Sequence, residues 1–122
     1  MCACAVVRAR RAGLLNGLAH ITGGGLPGNV PRVLPLGLRA RLSLGAWPLP
    51  PVFAWMRSAG GLCRSEMLDT FNCGLGMLLL VSPAAAAGVT AALAAAGERF
   101  FVVGAVEEVP ATQPGEPEPA LA

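Results

Sequence analysis

The chain has 122 residues, room for one domain, and is 54% hydrophobic but only 13% charged. Average globular domains carry about 25% charged residues, so this composition excludes simple disorder and predicts a core with apolar surface in need of a cover. All nine basic residues are arginine and the net charge is +2; without aromatic residues interleaved among those arginines, this excludes a nucleic-acid-binding face.

Residues 4–12 predict a short helix, stopped by Gly13, with Arg8, Arg10 and Arg11 toward the negative end of its dipole. The apolar residues precede these arginines, the reverse of a secretory signal's order. A strand is expected over residues 15–21, running into three consecutive glycines. Asn29 reads as the N-cap of a one-turn helix over residues 30–34, with Pro31 tolerated in its first turn and Pro35 ending it. Residues 38–42 alternate, which predicts a strand with Leu38, Ala40 and Leu42 buried and Arg39 and Arg41 outside.

Prolines around Trp47 make an extended lead-in, and Pro51 starts a helix. Val52, Trp55, Met56 and Ala59 fall at i, i+3, i+4 and i+7, read as one core-facing stripe. Gly60-Gly61 ends that helix. Ser65 is expected to cap the next one, with Glu66 and Asp69 in its first turn and Asn72 closing it in the left-handed conformation. Residues 73–81 read as a strand and residues 83–96 as a helix capped by Ser82, opened by Pro83 and stopped by Gly97. A last strand is expected over residues 100–106.

The charge-free run between Asp69 and Glu98 is long enough to cross a bilayer of about 30 Å. Its glycines and Ser82-Pro83 divide it into strand and helix, so no membrane span is expected. Residues 109–122 are rich in Pro and Glu without an apolar period and read as a disordered tail. Strands and helices alternate through residues 1–108, which predicts α/β or α+β architecture, a mixed sheet covered by helices.

Cys2, Cys4, Cys63 and Cys73 lack C-x-x-C spacing, and His20 is the only histidine, so no metal set assembles. Reduced cysteines and a cytoplasmic location are the expectation. The stretch "AHITGGGLPGN", residues 19–29, allows two readings. A glycine loop between strand and helix can offer several backbone N–H groups to an anion, joined by the Thr22 hydroxyl and the Asn29 amide. It can equally be a tight structural turn. Neither G-x-x-x-x-G-K-[ST] nor G-x-G-x-x-G is present. His20 could serve as acid, base or donor, or be a satisfied structural residue. No complete catalytic set emerges from the residues themselves.

Four blocks, "LAHITGGGLPGNVPRVLP" (18–35), "WPLPPVFAWM" (47–56), "EMLDTFNCGLGM" (66–77) and "GERFFVVGAV" (97–106), resemble in order and spacing the C-terminal domain of phosphoribosylformylglycinamidine cyclo-ligases, the AIR synthetases. The resemblance covers roughly residues 5–108 and implies a ligase of purine biosynthesis. Such an enzyme uses ATP with magnesium to close formylglycinamidine ribonucleotide into aminoimidazole ribonucleotide. It implies ligand-binding roles for His20, Thr22, Gly23, Gly24, Gly25, Asn29, Arg32 and Asn72, with His20 the catalytic candidate and no metal ligand in this chain. It also implies an absent N-terminal domain, supplied in cis or trans, that carries most ATP and magnesium ligands. It implies a homodimer for the full-length family and, for want of that N-terminal part, a domain here that is incomplete at its N-terminus and inactive alone. Gly28 stands where the family usually has Glu. Replacing Gly24 with Val is expected to weaken phosphate binding more than folding. The other readings are a non-catalytic remnant that only docks on a partner, and another ATP-using member of the superfamily.

Overall fold

The computed structural model describes residues 3–109; Cys2 and the expected tail beyond Val109 lie outside them. The elements in chain order are α1 (Ala3–Arg11), β1 (Gly17–His20), the single turn α2 (Gly25–Asn29), a 3-10 turn (Pro31–Val33), β2 (Leu38–Leu42), α3 (Pro51–Gly60), α4 (Arg64–Thr70), β3 (Met77–Leu80), α5 (Pro83–Ala95) and β4 (Gly104–Glu108). Helices and strands mix as the sequence predicts. The strands form two two-stranded ladders, β1–β3 and β2–β4. The chain divides into two compact units, one of Met1–Leu18 with Leu79–Val102 and one of Ala19–Leu78 with Val103–Ala122.

In the first unit α1 packs on α5. Val89 and Leu93, one turn apart on α5, are buried among Leu14, Leu15, Leu79 and Val81. Alanine gives α5 its helical propensity without a wide apolar face. The Ser82 hydroxyl accepts the Ala85 N–H at 3.3 Å, and Gly97 at φ 71° ends the helix, so the predicted cap and stop both hold. Among the described residues no helix is long and apolar enough to cross a membrane.

The second unit is built around Ile21, Leu26, Val30, Leu42, Trp47 and Val103. β2 pairs antiparallel with β4 from Leu38 opposite Glu108 to Leu42 opposite Gly104. Its alternation is as predicted: Leu42 is buried, Leu38 and Ala40 half-buried, and Arg39 and Arg41 exposed. β4 begins at Gly104 rather than residue 100, because a side chain there would overlap the Arg41 carbonyl and only glycine admits the close pairing. Glu107 therefore lies inside the strand rather than after it. Its carboxylate accepts from Arg41 at 2.5 Å and from Arg39 at 3.4 Å.

Three local expectations are corrected. The stripe on α3 is not core-facing: Val52 is 55% and Trp55 68% exposed, and Ala59 is exposed as well. The half-buried residues of α3 are Phe53 and Met56, and the Phe53 ring stands 6.1 Å from that of Phe71. Nearly every residue from Pro51 to Met56 is apolar, so spacing alone could not choose the helical phase. The cap of α4 is Cys63, not Ser65; the Glu66 carboxylate reaches back to the Cys63 N–H at 2.7 Å and the helix starts two residues earlier. The left-handed residue after α4 is Cys73 at φ 48°, not Asn72. The Asn72 side chain instead accepts the Gly74 N–H at 3.0 Å, an Asx turn that delays β3 until Met77.

Candidate functional site

The glycine segment lies between β1 and α2, and all eight predicted site residues belong to the second unit. Asn29 is not the cap of a following helix. It is the last residue of α2, 6% exposed, and its amide faces back into the loop. Nδ2 donates to the carbonyls of Gly25 at 2.7 Å, Gly23 at 3.2 Å and Thr22 at 3.4 Å. The Thr22 hydroxyl donates to Asn29 Oδ1 at 3.5 Å. One buried amide thus gathers three carbonyls on the inner side of the loop. Because the two ends of a peptide unit point in opposite directions, gathering the carbonyls inward turns N–H groups outward.

The three glycines differ in what they must do. Gly24 at φ 90° and Gly25 at φ 55° occupy left-handed backbone, where other residues are strained. Gly25 is also buried against α4, so that a Cβ would overlap the Leu68 carbonyl. Gly23 has ordinary φ, and a Cβ there would meet nothing within 4 Å. Thr22, Gly23 and Gly24 are exposed, and among the described residues the N–H groups of Gly23 and Gly24 have no hydrogen-bond partner. The turn reading thus accounts for Gly24 and Gly25 and leaves Gly23 over.

The remaining predicted residues are not bonded to this loop. His20 ends β1 and is exposed, and its side chain has no hydrogen bond among the described residues. Arg32 is exposed on the 3-10 turn and forms no ion pair among the described residues. Asn72 shapes its own turn, as described above. Gly28 has open space where its Cβ would stand, so the position has room for a larger side chain. Among the described residues no three His, Cys, Asp or Glu side chains stand together to hold a metal ion.

Two links escaped the sequence reading. The Trp47 indole donates to the Cys73 carbonyl at 2.9 Å, and the Pro50 ring lies so close to Gly74 that a Cβ there would stand 2.7 Å from it. The proline-rich lead-in and the turn after α4 are therefore one packed assembly. Only the close approach of the glycine in "NCG" could have signalled it.

The family profile described as "AIR synthase related protein, C-terminal domain" matches residues 1–114. The chain belongs to this family.

Among its relatives, the phosphoribosylformylglycinamidine cyclo-ligase of Paraburkholderia phymatum is 53% identical over 94 residues, 77% of this chain and 26% of the relative. The protein of that name from Burkholderia cenocepacia is 51% identical over 102 residues, 84% of this chain and 28% of the relative. The chain thus spans about a quarter of the length of the curated relatives it matches. Within this AIR synthase C-terminal domain, Asn29 turns out to be the organiser of the glycine loop rather than one more donor at its edge. The helix beyond the loop is a single turn of five residues. Its dipole adds little, and the donors that matter are the individual N–H groups.

Proposed function

We propose that the chain is the C-terminal segment of a phosphoribosylformylglycinamidine cyclo-ligase, and that its glycine loop forms one wall of the ATP-dependent ring-closing site. The reading rests on family membership together with one observation. Asn29 holds the loop so that the exposed Gly23 and Gly24 N–H groups face away from the carbonyls it gathers. Such donors suit phosphate oxygens, and their fixed orientation stabilises charge on a transferring phosphoryl group without reorganisation.

In the proposed reaction the formyl amide oxygen of formylglycinamidine ribonucleotide takes the γ-phosphoryl group of ATP, releasing ADP. The neighbouring amine then forms the ring C–N bond as phosphate leaves and a proton is lost, giving aminoimidazole ribonucleotide. In this chain Gly23 and Gly24 would bind phosphate oxygens, with the Thr22 hydroxyl turning from Asn29 toward the ligand. Gly25 and Asn29 would hold the loop's shape. His20, exposed at the end of β1, would donate to or accept a proton from the substrate, with Arg32 and Asn72 nearer the periphery. Magnesium, when bound with ATP, would neutralise phosphate charge; no residue of this chain is assigned to it. We take residues 1–108 as the domain and 109–122 as a tail. The remainder of the enzyme, including the N-terminal domain and a homodimer contact, would be needed for turnover in the cytoplasm.

Mixing the purified chain with the N-terminal portion of a family member tests this. Turnover of formylglycinamidine ribonucleotide and ATP should appear only in the mixture; turnover by the chain alone would end the claim that the wall is incomplete. Gly24→Val is the wrong probe for the loop, because φ 90° makes any side chain costly to folding. Gly23→Val, in open space, should raise the KM for ATP or lower kcat about tenfold or more at unchanged stability. Unchanged kinetics would leave the loop a turn and nothing else.

A further inference from the structure

The second unit holds a cavity of about 110 Å³ near the junction of α3 and α4. Leu44, Trp47, Met67 and Cys73 line it, together with two arginines, Arg57 and Arg64. The sequence brings both guanidiniums there for a geometric reason. Arg57 stands in the last turn of α3, and Arg64 opens α4. Gly61 at φ 61° reverses the chain between them, and the Arg57 carbonyl accepts the N–H of Leu62 at 3.0 Å. Two helix ends meet at one hole, and each delivers a cation.

Neither arginine forms an ion pair among the described residues. The nearest acid along the chain, Glu66, is occupied in capping α4 at the Cys63 N–H. Cys73 supplies no counter-charge, since burial pushes its thiol above the ordinary 9.0 and keeps it neutral. Two like charges at one opening repel each other, and a bound anion would replace that repulsion with charge-assisted hydrogen bonds from planar forks. The apolar wall is already formed, because the Trp47 ring is fixed by its bond to the Cys73 carbonyl. An apolar wall beside paired cations asks for a ligand with both characters.

We propose that this cavity binds a small organic anion, a carboxylate or phosphate head group carrying a short alkyl chain. The volume equals roughly four waters at about 30 Å³ each. It is far below the roughly 300–1,000 Å³ of drug-sized pockets, a size suited to a head group with a few carbons. The site is separate from the glycine loop and does not depend on the ring-closing reading.

Trp55 is 68% exposed and Trp47 is the chain's other tryptophan, so Trp55→Phe leaves one indole reporter in the full chain. Its fluorescence would be titrated with butyl phosphate, pentanoate, inorganic phosphate and butanol. Butyl phosphate or pentanoate should give a saturable change, the tighter of the two naming the head group. Inorganic phosphate and butanol should bind about tenfold more weakly or worse, a difference of about 1.4 kcal/mol. The double variant R57Q/R64Q should lose about tenfold or more in affinity with its thermal midpoint unmoved, both side chains being exposed. Single R57Q and R64Q variants carry the same expectation should the double variant fold poorly. A response that survives both substitutions, equal binding of inorganic phosphate, or no saturable response to any probe overturns the proposal.

Discussion

At Gly25 a methyl group would collide with the Leu68 carbonyl while the backbone is held at φ 55°. Both penalties act on the folded state, and neither relaxes without moving α4. Gly25→Ala should therefore cost about 3 kcal/mol or more, whereas Gly23→Ala, in open space at ordinary φ, should stay within about 0.5 kcal/mol. Urea unfolding of the two variants checks the pair, and equal losses would mean that the loop is not held as described. At Glu107 the Arg41 hydrogen bond, reinforced by the Arg41 and Arg39 charges, holds the carboxyl below its ordinary 4.5. A carboxylate with a depressed folded pKa adds stability above its unfolded pKa and loses it as pH falls through the lower folded value. Wild-type stability should thus fall more steeply below pH 4.5 than that of Glu107→Gln, by a small margin because the pair is solvent-screened. Parallel pH profiles would show the ion pair to be energetically silent.

Among the elements, α3 shows how an apolar stretch can be read correctly in kind and wrongly in phase. Trp55→Ser should leave the thermal midpoint nearly unchanged, because the ring is mostly in solvent. Trp47→Phe should cost about 1–2 kcal/mol by leaving the buried Cys73 carbonyl without its indole donor. Comparing the two melts tests the assignment, and a larger loss at Trp55 would restore the stripe to the core. The elements with strong local punctuation were legible from residues alone: β2 from its strict alternation, and α5 from Ser82-Pro83 and Gly97. β4 and β3 were misplaced at their starts for a physical reason. Their boundaries are set by close backbone approaches at Gly104 and by the Asx turn at Asn72, which depend on partners distant in the chain or on one side-chain rotamer. The glycine loop was legible as a special backbone but not in its organisation. Asn is equally good as a cap or as an amide facing carbonyls, and only the fold decides between them.

For the whole molecule, the low charge content was a sound guide. Val52, Trp55, Phe101 and Val102 are exposed in a chain that spans about a quarter of its relatives. α5 contributes only Val89 and Leu93 as buried residues, against the larger buried cluster of the second unit. Amides of α5 should therefore exchange with deuterium before those of the β2–β4 ladder, a difference readable by native-state hydrogen exchange. Uniform protection would mean that the whole chain opens as one cooperative block.

The pairing of β2 with β4 also fixes an order of events during synthesis. Arg41 and Glu107 are 66 residues apart in sequence, and everything from Leu79 to Val102 belongs to the other unit. β2 leaves the ribosome long before its partner exists, so its edge stays open while the intervening unit is made. Closing so long a loop is slow relative to local helix formation. The unit that carries the glycine loop is thus interrupted by the other and is the last to finish. A chain stopped before Val103 would lack both a core residue and the strand that seals the edge, however intact its loop sequence.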